Sequence, residues 1–290
     1  MQPASARVST NPSDGLLTAP LRDRRARSWC LAAAAQTRSL EESKVLFTAK
    51  SGPKRAFGTC AVISSSPSML DSQYGEDIDK HDVVIRFNMA ETVGYEDDVG
   101  ARTSLMLAND VVANRPSKWI PACPTYELGI WFLFDFMPSR VSSFTKQRVK
   151  VYAPNDCKYT INKNYTTAFK NPWQKVIRSW VKGHRVVVGA ALPRLSTGWI
   201  GILHTTLGGL CKTVDLYGWD RGPAGTRFSA GHYYDPLHNY TAHAYSLETI
   251  LIDYYMERYN YANREWGASM KVWPWKNPAK KPKGDGTFDR

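Results

Sequence analysis

Cys60-Ala-Val-Ile-Ser-Ser-Ser-Pro-Ser68 and, a little further on, Asp82-Val-Val-Ile-Arg-Phe-Asn88 decide the fold of this chain. Each holds a short run of apolar, β-branched residues, the length and composition of a strand buried on both faces. The first run ends in small hydroxylated residues, and Met69 to Lys80 between the two carries a helical pattern. Strand, turn, helix and strand in that order are the opening of an α/β domain.

The same alternation continues outward. Thr103 to Leu107, Gly129 to Phe134, Val149 to Tyr152, Arg185 to Val188 and Thr213 to Tyr217 read as further strands. Gly198 to Gly209 reads as a helix between two of them. The last helix is the clearest. Leu247, Ile250, Leu251, Tyr254, Tyr255 and Arg258 share one face, with Ser246 as N-cap and Glu248 in the first turn. The fold class expected is α/β, one domain on a mostly parallel central sheet.

Length and composition agree. The 290 residues are 43% hydrophobic and 22% charged, an ordinary globular balance. No run of about 18 apolar residues is present. Residues 1–40 are rich in Ser, Pro, Ala and Arg without periodicity and read as a disordered leader or targeting segment. Residues 41–270 form the expected folded body, and 271–290 a basic Pro/Lys tail. The formal net charge is +12, and about two thirds of that excess sits on the two ends. A nucleic-acid footprint would cluster on the folded body. The distribution argues against nucleic acid and suits a body that binds a small anion.

Two loops are candidates for that anion. Ser64-Ser65-Ser66 follows the first strand, and Ser196-Thr197-Gly198 precedes a helix. Hydroxyl and backbone N–H groups at such junctions can face a phosphate, and they serve equally as helix N-caps. Neither loop matches a Walker A or dinucleotide fingerprint. Asp77-Ile78-Asp79 has a spacing used for divalent metals, but it reads as a solvated acidic helix face. The five cysteines, Cys30, Cys60, Cys123, Cys157 and Cys211, have no zinc spacing. His243 lies just before the last helix, whose dipole favours neutral imidazole and hence a general base. A structural loop histidine is the other reading. Sequons at Asn164 and Asn239 are compatible with a secretory lumen.

Taken together, the segments resemble the eukaryotic sialyltransferase family. The large sialylmotif is matched from Cys60 through Gly75-Glu-Asp-Ile-Asp-Lys-His-Asp-Val-Val-Ile-Arg-Phe-Asn88 to Asp98-Val-Gly-Ala-Arg-Thr103. The small motif is matched by Ser196-Thr-Gly-Trp through Cys211-Lys-Thr-Val-Asp-Leu-Tyr-Gly218. The third motif is matched by His232-Tyr-Tyr-Asp235, and the very small H-x4-E motif by His243 and Glu248. The four occur in the family's order, and the wording looks nearest the beta-galactoside alpha-2,6 branch.

The resemblance implies a Rossmann-like variant of the GT-A glycosyltransferase fold. It implies inverting transfer of sialic acid from CMP-sialic acid to a hydroxyl of a glycan acceptor on glycoprotein or glycolipid, without metal or cofactor. His243 would be the base and His232 would lie by the departing phosphate. Ser65, Ser66, Asn88, Asn109, Ser196, Thr197 and Gly198 would bind the nucleotide. Cys60 and Cys211 would form a disulfide, with Cys123 and Cys157 as candidates for a second. Another CMP-activated keto-deoxy sugar such as CMP-Kdo, or an inactive nucleotide- or glycan-binding protein, are the alternatives. Acceptor choice would fall to loops at Ala108–Pro124 and Gly218–Gly231. Residence in the Golgi lumen is expected, with a membrane anchor that this chain does not contain, which reads as a shortened gene model or different targeting. Pro67 stands where many relatives have Gly, stiffening the first loop.

Overall fold

The computed structural model describes residues 57–109, 112, 126–133, 159–162, 195–219, 231–235 and 245–274. Its centre is a seven-stranded sheet, β1 (Phe57–Ile63), β2 (Val83–Phe87), β3 (Leu105–Ala108), β4 (Gly129–Leu133), β5 (Tyr159–Asn162), β6 (Cys211–Tyr217) and β7 (Ser269–Val272). The spatial order is β5-β4-β3-β2-β1-β6-β7, and every pairing is parallel. The mostly parallel sheet expected from the sequence is thus present. β5 and β7 were not expected, and Val149–Tyr152 and Arg185–Val188 lie outside the described residues.

Strand residues alternate between two covered faces, as both-sided burial requires. Cys60, Val62, Val83, Ile85, Phe87, Leu105, Leu107, Val214 and Leu216 pack beneath two helices, α3 (Thr197–Leu207) and α4 (Tyr245–Asn263). Ala61, Ile63, Val84 and Tyr217 face the other way, against Met69, Tyr74, Ile78, Val99 and Tyr233. That second layer includes the short helices α1 (Gly75–Asp79) and α2 (Glu96–Val99).

Helix α3 lies close on the sheet because Gly201 lets it. A Cβ there would stand 2.2 Å from Phe87 Cε1. In α4 the buried line is Glu248, Leu251, Ile252, Tyr255, Tyr259 and Asn263, while Arg258 is exposed. Leu251 and Tyr255 of the expected face are buried, and the buried line also carries the polar Glu248 and Asn263. The helix begins at Tyr245, so Ser246 lies inside it and is not its N-cap.

Met69–Lys80 does not form one helix. A 3₁₀ turn at Pro67–Met69 and α1 are separated by Asp71 and Gln73, whose φ angles are 60° and 53°. The Asp98 carboxylate accepts both of their N–H groups, at 2.7 and 3.0 Å. This long-range clasp overrides the local helical pattern.

Candidate donor-binding cleft

The chain runs outward from β1 to β5 on one side, then returns to place β6 and β7 on the other. The strand order thus reverses between β1 and β6. In open parallel sheets ligands bind outside the carboxyl ends of the strands at such a reversal. The expected site residues can be followed along that edge.

After β1, the Ser64 N–H donates to Tyr217 O at 2.9 Å, tying the loop to the end of β6. Ser64 Oγ accepts from Ser66 N at 3.0 Å, and Ser66 Oγ accepts from Ser68 N at 3.2 Å and Ser68 Oγ at 3.0 Å. Ser66 is thereby the N-cap of the Pro67–Met69 turn. Pro67 occupies a first-turn position, where the missing N–H is no loss. The Ser65 hydroxyl makes no hydrogen bond within the described residues, and the Ser65 carbonyl accepts the Tyr233 N–H at 3.0 Å.

That last bond brings in the third motif. His232 and Asp235 bridge through N–H···O bonds of 3.0 and 3.1 Å. The His232 ring stacks on Tyr234, with centroids 5.0 Å apart and planes at 12°. Tyr233 is buried against Tyr95 and donates its hydroxyl to Glu91 O. Burial pushes the Tyr233 phenol up, against the opposing charge of Arg86, so it stays a donor. Tyr233 is the anchor that sets His232 beside the β1 loop.

Asn88, after β2, adopts a φ of 53°, a conformation asparagine tolerates better than most residues. Its Oδ1 accepts the Asn109 N–H at 3.1 Å. Asn109, after β3, accepts Val112 N–H on Oδ1 at 3.1 Å and donates Nδ2–H to Thr197 Oγ1 at 3.2 Å. Three neighbouring elements are thus wired in series, and among the described residues the Asn88 amide donors have no hydrogen-bond partner.

At the start of α3, Ser196 Oγ accepts from Trp199 N at 3.1 Å. Its own proton goes to Glu248 Oε2 at 2.6 Å, while the Ser196 N–H donates to Glu248 Oε1 at 2.5 Å. Ser196 therefore has no donor left for a nucleotide. The N–H groups of Thr197 and Gly198, the first two of the helix, lack intrahelical partners and sit at the positive end of its dipole. Trp219, after β6, lies on Gly198, where a Cβ would come within 2.4 Å of the indole ring. Its Nε1–H donates to Val62 O at 3.2 Å.

The structure therefore gathers Ser65, Ser66, Asn88, Asn109, Ser196, Thr197, Gly198 and His232 along one edge. His243 lies outside the described residues. Cys60 and Cys211 are joined in a disulfide, with Cα atoms 5.8 Å apart. Cys30, Cys123 and Cys157 are outside the described residues.

The Asp77-Ile78-Asp79 motif divides in two. Asp77 and Glu76 face solvent beside Lys80, whereas Asp79 accepts the Ala101 and Arg102 N–H groups at 2.8 and 3.1 Å. Among the described residues, no group of three or more His, Cys, Asp or Glu side chains could hold a metal ion.

Two residues at the edge escaped the sequence reading. Trp219 carried no motif signal of its own. Arg86 was only a motif letter, yet it is fully buried and donates to the carbonyls of Val99, Gly100 and Arg102 and to Thr103 Oγ1. Burial holds its guanidinium below its ordinary pKa. It shapes the loop beside Tyr233. His204, on α3, is lowered to about 4 by burial and so is neutral. It takes no part in this edge.

A parallel sheet whose strand order reverses beside two hydroxylated loops and a bridged histidine turn offers hydrogen-bond donors at one edge. The sequence profile of Glycosyltransferase family 29 (sialyltransferase) matches residues 31–257, and the chain belongs to that family.

Among curated relatives, Beta-galactoside alpha-2,6-sialyltransferase 2 of Bos taurus is 28% identical over 201 residues, covering 64% of this chain and 37% of the relative. Beta-galactoside alpha-2,6-sialyltransferase 1 of Homo sapiens is 38% identical over 86 residues, covering 30% and 20%. The chain thus spans well under half the length of these relatives. A solved mammalian sialyltransferase aligns with a TM-score of 0.42 at 20% identity, covering 87% of this chain and 85% of the other.

Proposed function

We propose that this chain transfers sialic acid from CMP-sialic acid to a hydroxyl of a glycan acceptor. The observation that carries the reading is the convergence of the β1 loop, Asn88, Asn109, the α3 N-terminus and His232 on one sheet edge, in a member of this family.

In this reading the Thr197 and Gly198 N–H groups and the Ser65 hydroxyl face the CMP phosphate. The Asn88 amide, with both a donor and an acceptor, recognises the nucleoside. Ser66, Asn109 and Ser196 shape the site from within. His243 removes the proton of the acceptor hydroxyl. The acceptor oxygen then forms a bond to the anomeric carbon of the sugar as the bond from that carbon to the phosphate oxygen breaks. CMP leaves with the electron pair, and one displacement inverts the configuration. His232, as imidazolium, offsets the charge that develops on the phosphate. The hydrogen-bond donors of this edge serve in place of a metal.

The last strand of the sheet, β7, ends at Val272, two residues past the 41–270 body read from the sequence. A lumenal, oxidising compartment such as the Golgi fits the Cys60–Cys211 disulfide. Among the described residues, no helix is long and apolar enough to cross a membrane.

The experiment is a transfer assay of the full chain with CMP-sialic acid and with CMP-Kdo, using galactose-terminated glycans, beside His243→Ala. Turnover with CMP-sialic acid, inverted product and a loss of ~10²–10⁴-fold in the variant are expected. Turnover with CMP-Kdo alone would move the donor to the other keto-deoxy sugar. Near-normal turnover by His243→Ala would remove it from the base role.

A further inference from the structure

We propose that His81 and Asp215 form a pH-operated latch behind the β1 loop, closed while His81 carries its charge, and that the closed latch holds this loop in shape for the donor. This rests on the functional reading above.

His81 follows α1 and Asp215 lies on β6, and both side chains are largely buried. His81 Nδ1 lies 3.0 and 3.1 Å from the Asp77 and Ile78 carbonyl oxygens. A carbonyl only accepts, so Nδ1 carries a proton. Nε2 lies 3.2 Å from Asp215 Oδ2. Against burial, its partners hold the Asp215 carboxyl below its ordinary range, so it is ionised and it too only accepts. Nε2 is therefore protonated as well, and the ring in this arrangement is the imidazolium. A neutral ring would turn a lone pair either on the carboxylate or on the two carbonyls. One side of the latch would then open.

The latch reaches the β1 loop through Tyr217. Asp215 and Tyr217 stand two apart on β6 and so share a face. The buried Tyr217 ring meets the His81 ring edge-on, with centroids 5.9 Å apart, and stacks on Trp273 at 5.2 Å. Its carbonyl accepts the N–H of Ser64, the first residue of the loop, at 2.9 Å. Met69, in the turn that Ser66 caps, packs in the same cluster.

The charged and titratable neighbours come from every element around the pair. The Asp77 carboxylate of α1 turns to Lys80, at 3.8 Å. Arg102, before β3, donates to the His81 carbonyl at 2.9 Å. Asp82 accepts the Thr59 N–H at 2.8 Å. Lys271 of β7 lies over the Trp273 ring and adds positive charge near Asp215. Tyr74 donates its hydroxyl to Pro274 O, and burial pushes the Tyr217 phenol up and keeps it neutral. Of these groups, only the imidazole ordinarily changes charge between about pH 5 and pH 8.

The test is CMP affinity by calorimetry, for the full wild-type chain and His81→Gln, at about pH 5.5 and about pH 8.5, on either side of the histidine range. CMP's own phosphate and His232 also titrate in this window, so the quantity read is the acid-to-alkaline affinity ratio of one protein against the other. The wild-type ratio should exceed that of His81→Gln by about fivefold, the low end of coupling between sites. Asp215→Asn, which keeps the size of the latch and removes its charge, should show the smaller ratio as well. Equal ratios in wild type and variants would overturn the proposal. If neither variant folds, the wild type decides by reciprocity, because a donor favoured by the charged ring must favour that charge in return. Bound CMP should then move the His81 titration, followed by the NMR signal of its ring, to higher pH, and an unmoved titration overturns the latch. CMP binding with equal ratios defeats this inference alone. No CMP binding at either pH defeats the functional reading, and this inference with it.

Discussion

The side-chain oxygen of Asn88 accepts the backbone N–H of Asn109 at 3.1 Å, joining the ends of two neighbouring strands. Through Asn109 Nδ2 the link continues to Thr197 on α3. Asn88 thus organises the edge with its oxygen, and in the proposed reading its amide donors face the nucleotide. Asn88→Asp keeps the acceptor but loses the donors and adds a negative charge. The variant should fold normally and bind CMP at least about tenfold more weakly, a difference of about 1.4 kcal/mol. Calorimetric titration with CMP measures this. Asn88→Ala should also lose about 1 kcal/mol of stability, because its φ of 53° suits asparagine better than alanine.

Gly198 is held under Trp219, where an added Cβ would meet the ring at 2.4 Å. Gly198→Ala should cost about 1–3 kcal/mol through overpacking and move the α3 N-terminus away from the β1 loop. CMP binding should suffer with it. The double variant Gly198→Ala/Trp219→Leu should regain part of the stability, as read by denaturant unfolding. No recovery would mean that the ring is not the obstacle.

The Cys60–Cys211 disulfide spans a sequence separation of 151 residues. Closing so long a loop stabilises by about 4–5 kcal/mol in the chain-entropy model. Cys60→Ser/Cys211→Ser should lose a large part of that, and the wild type should show a similar loss on reduction. Melting curves with and without reductant test both statements. An unchanged melting temperature would place the bond outside the stability of the fold.

His81 Nε2 lies 3.2 Å from Asp215 Oδ2, joining the turn before β2 to β6. Burial alone would lower the His81 pKa, but Asp215 and the Ile78 and Asp77 carbonyls hold it above its ordinary value. The Asp215 carboxyl is raised by burial and lowered more by its partners, His81 foremost, so it ends below its ordinary range. A raised histidine stabilises the fold below its unfolded pKa, and that contribution disappears as pH rises through the folded one. A lowered carboxylate stabilises above its unfolded pKa, and that contribution disappears as pH falls through the folded one. The pair is therefore most stabilising in mildly acidic solution, between about pH 4 and about pH 6.5, the unfolded values of the two groups. Melting temperature should fall as pH rises through the His81 titration, and His81→Gln should flatten that fall.

The strands β1, β2, β3, β4 and β6 were legible because each carries a short run of apolar residues, buried throughout in β2 and β3. β7 was not. Only Met270 of its four residues is buried, and Lys271 faces solvent, so Ser269-Met-Lys-Val272 carries little strand signal without β6 beside it. β5, Tyr159-Thr-Ile-Asn162, is a similarly short edge strand. The break at Asp71 and Gln73 depends on Asp98, a distant carboxylate that no local periodicity could reveal.

At the site, the residue types and their order were readable, and the edge on which they meet follows from the parallel topology. Their division of labour was not readable. Ser196 and Glu248 stand 52 positions apart, and only the packing of α3 on α4 turns a candidate nucleotide contact into one half of a clamp.

The most direct test of the account is the thermal stability of the full chain with CMP, UMP, GMP and AMP in turn. A ligand at about 100 times its dissociation constant adds about 2.7 kcal/mol. The account predicts a clear rise in melting temperature with CMP and none with the other three. No rise with any nucleotide, in folded protein with the Cys60–Cys211 disulfide formed, would contradict it.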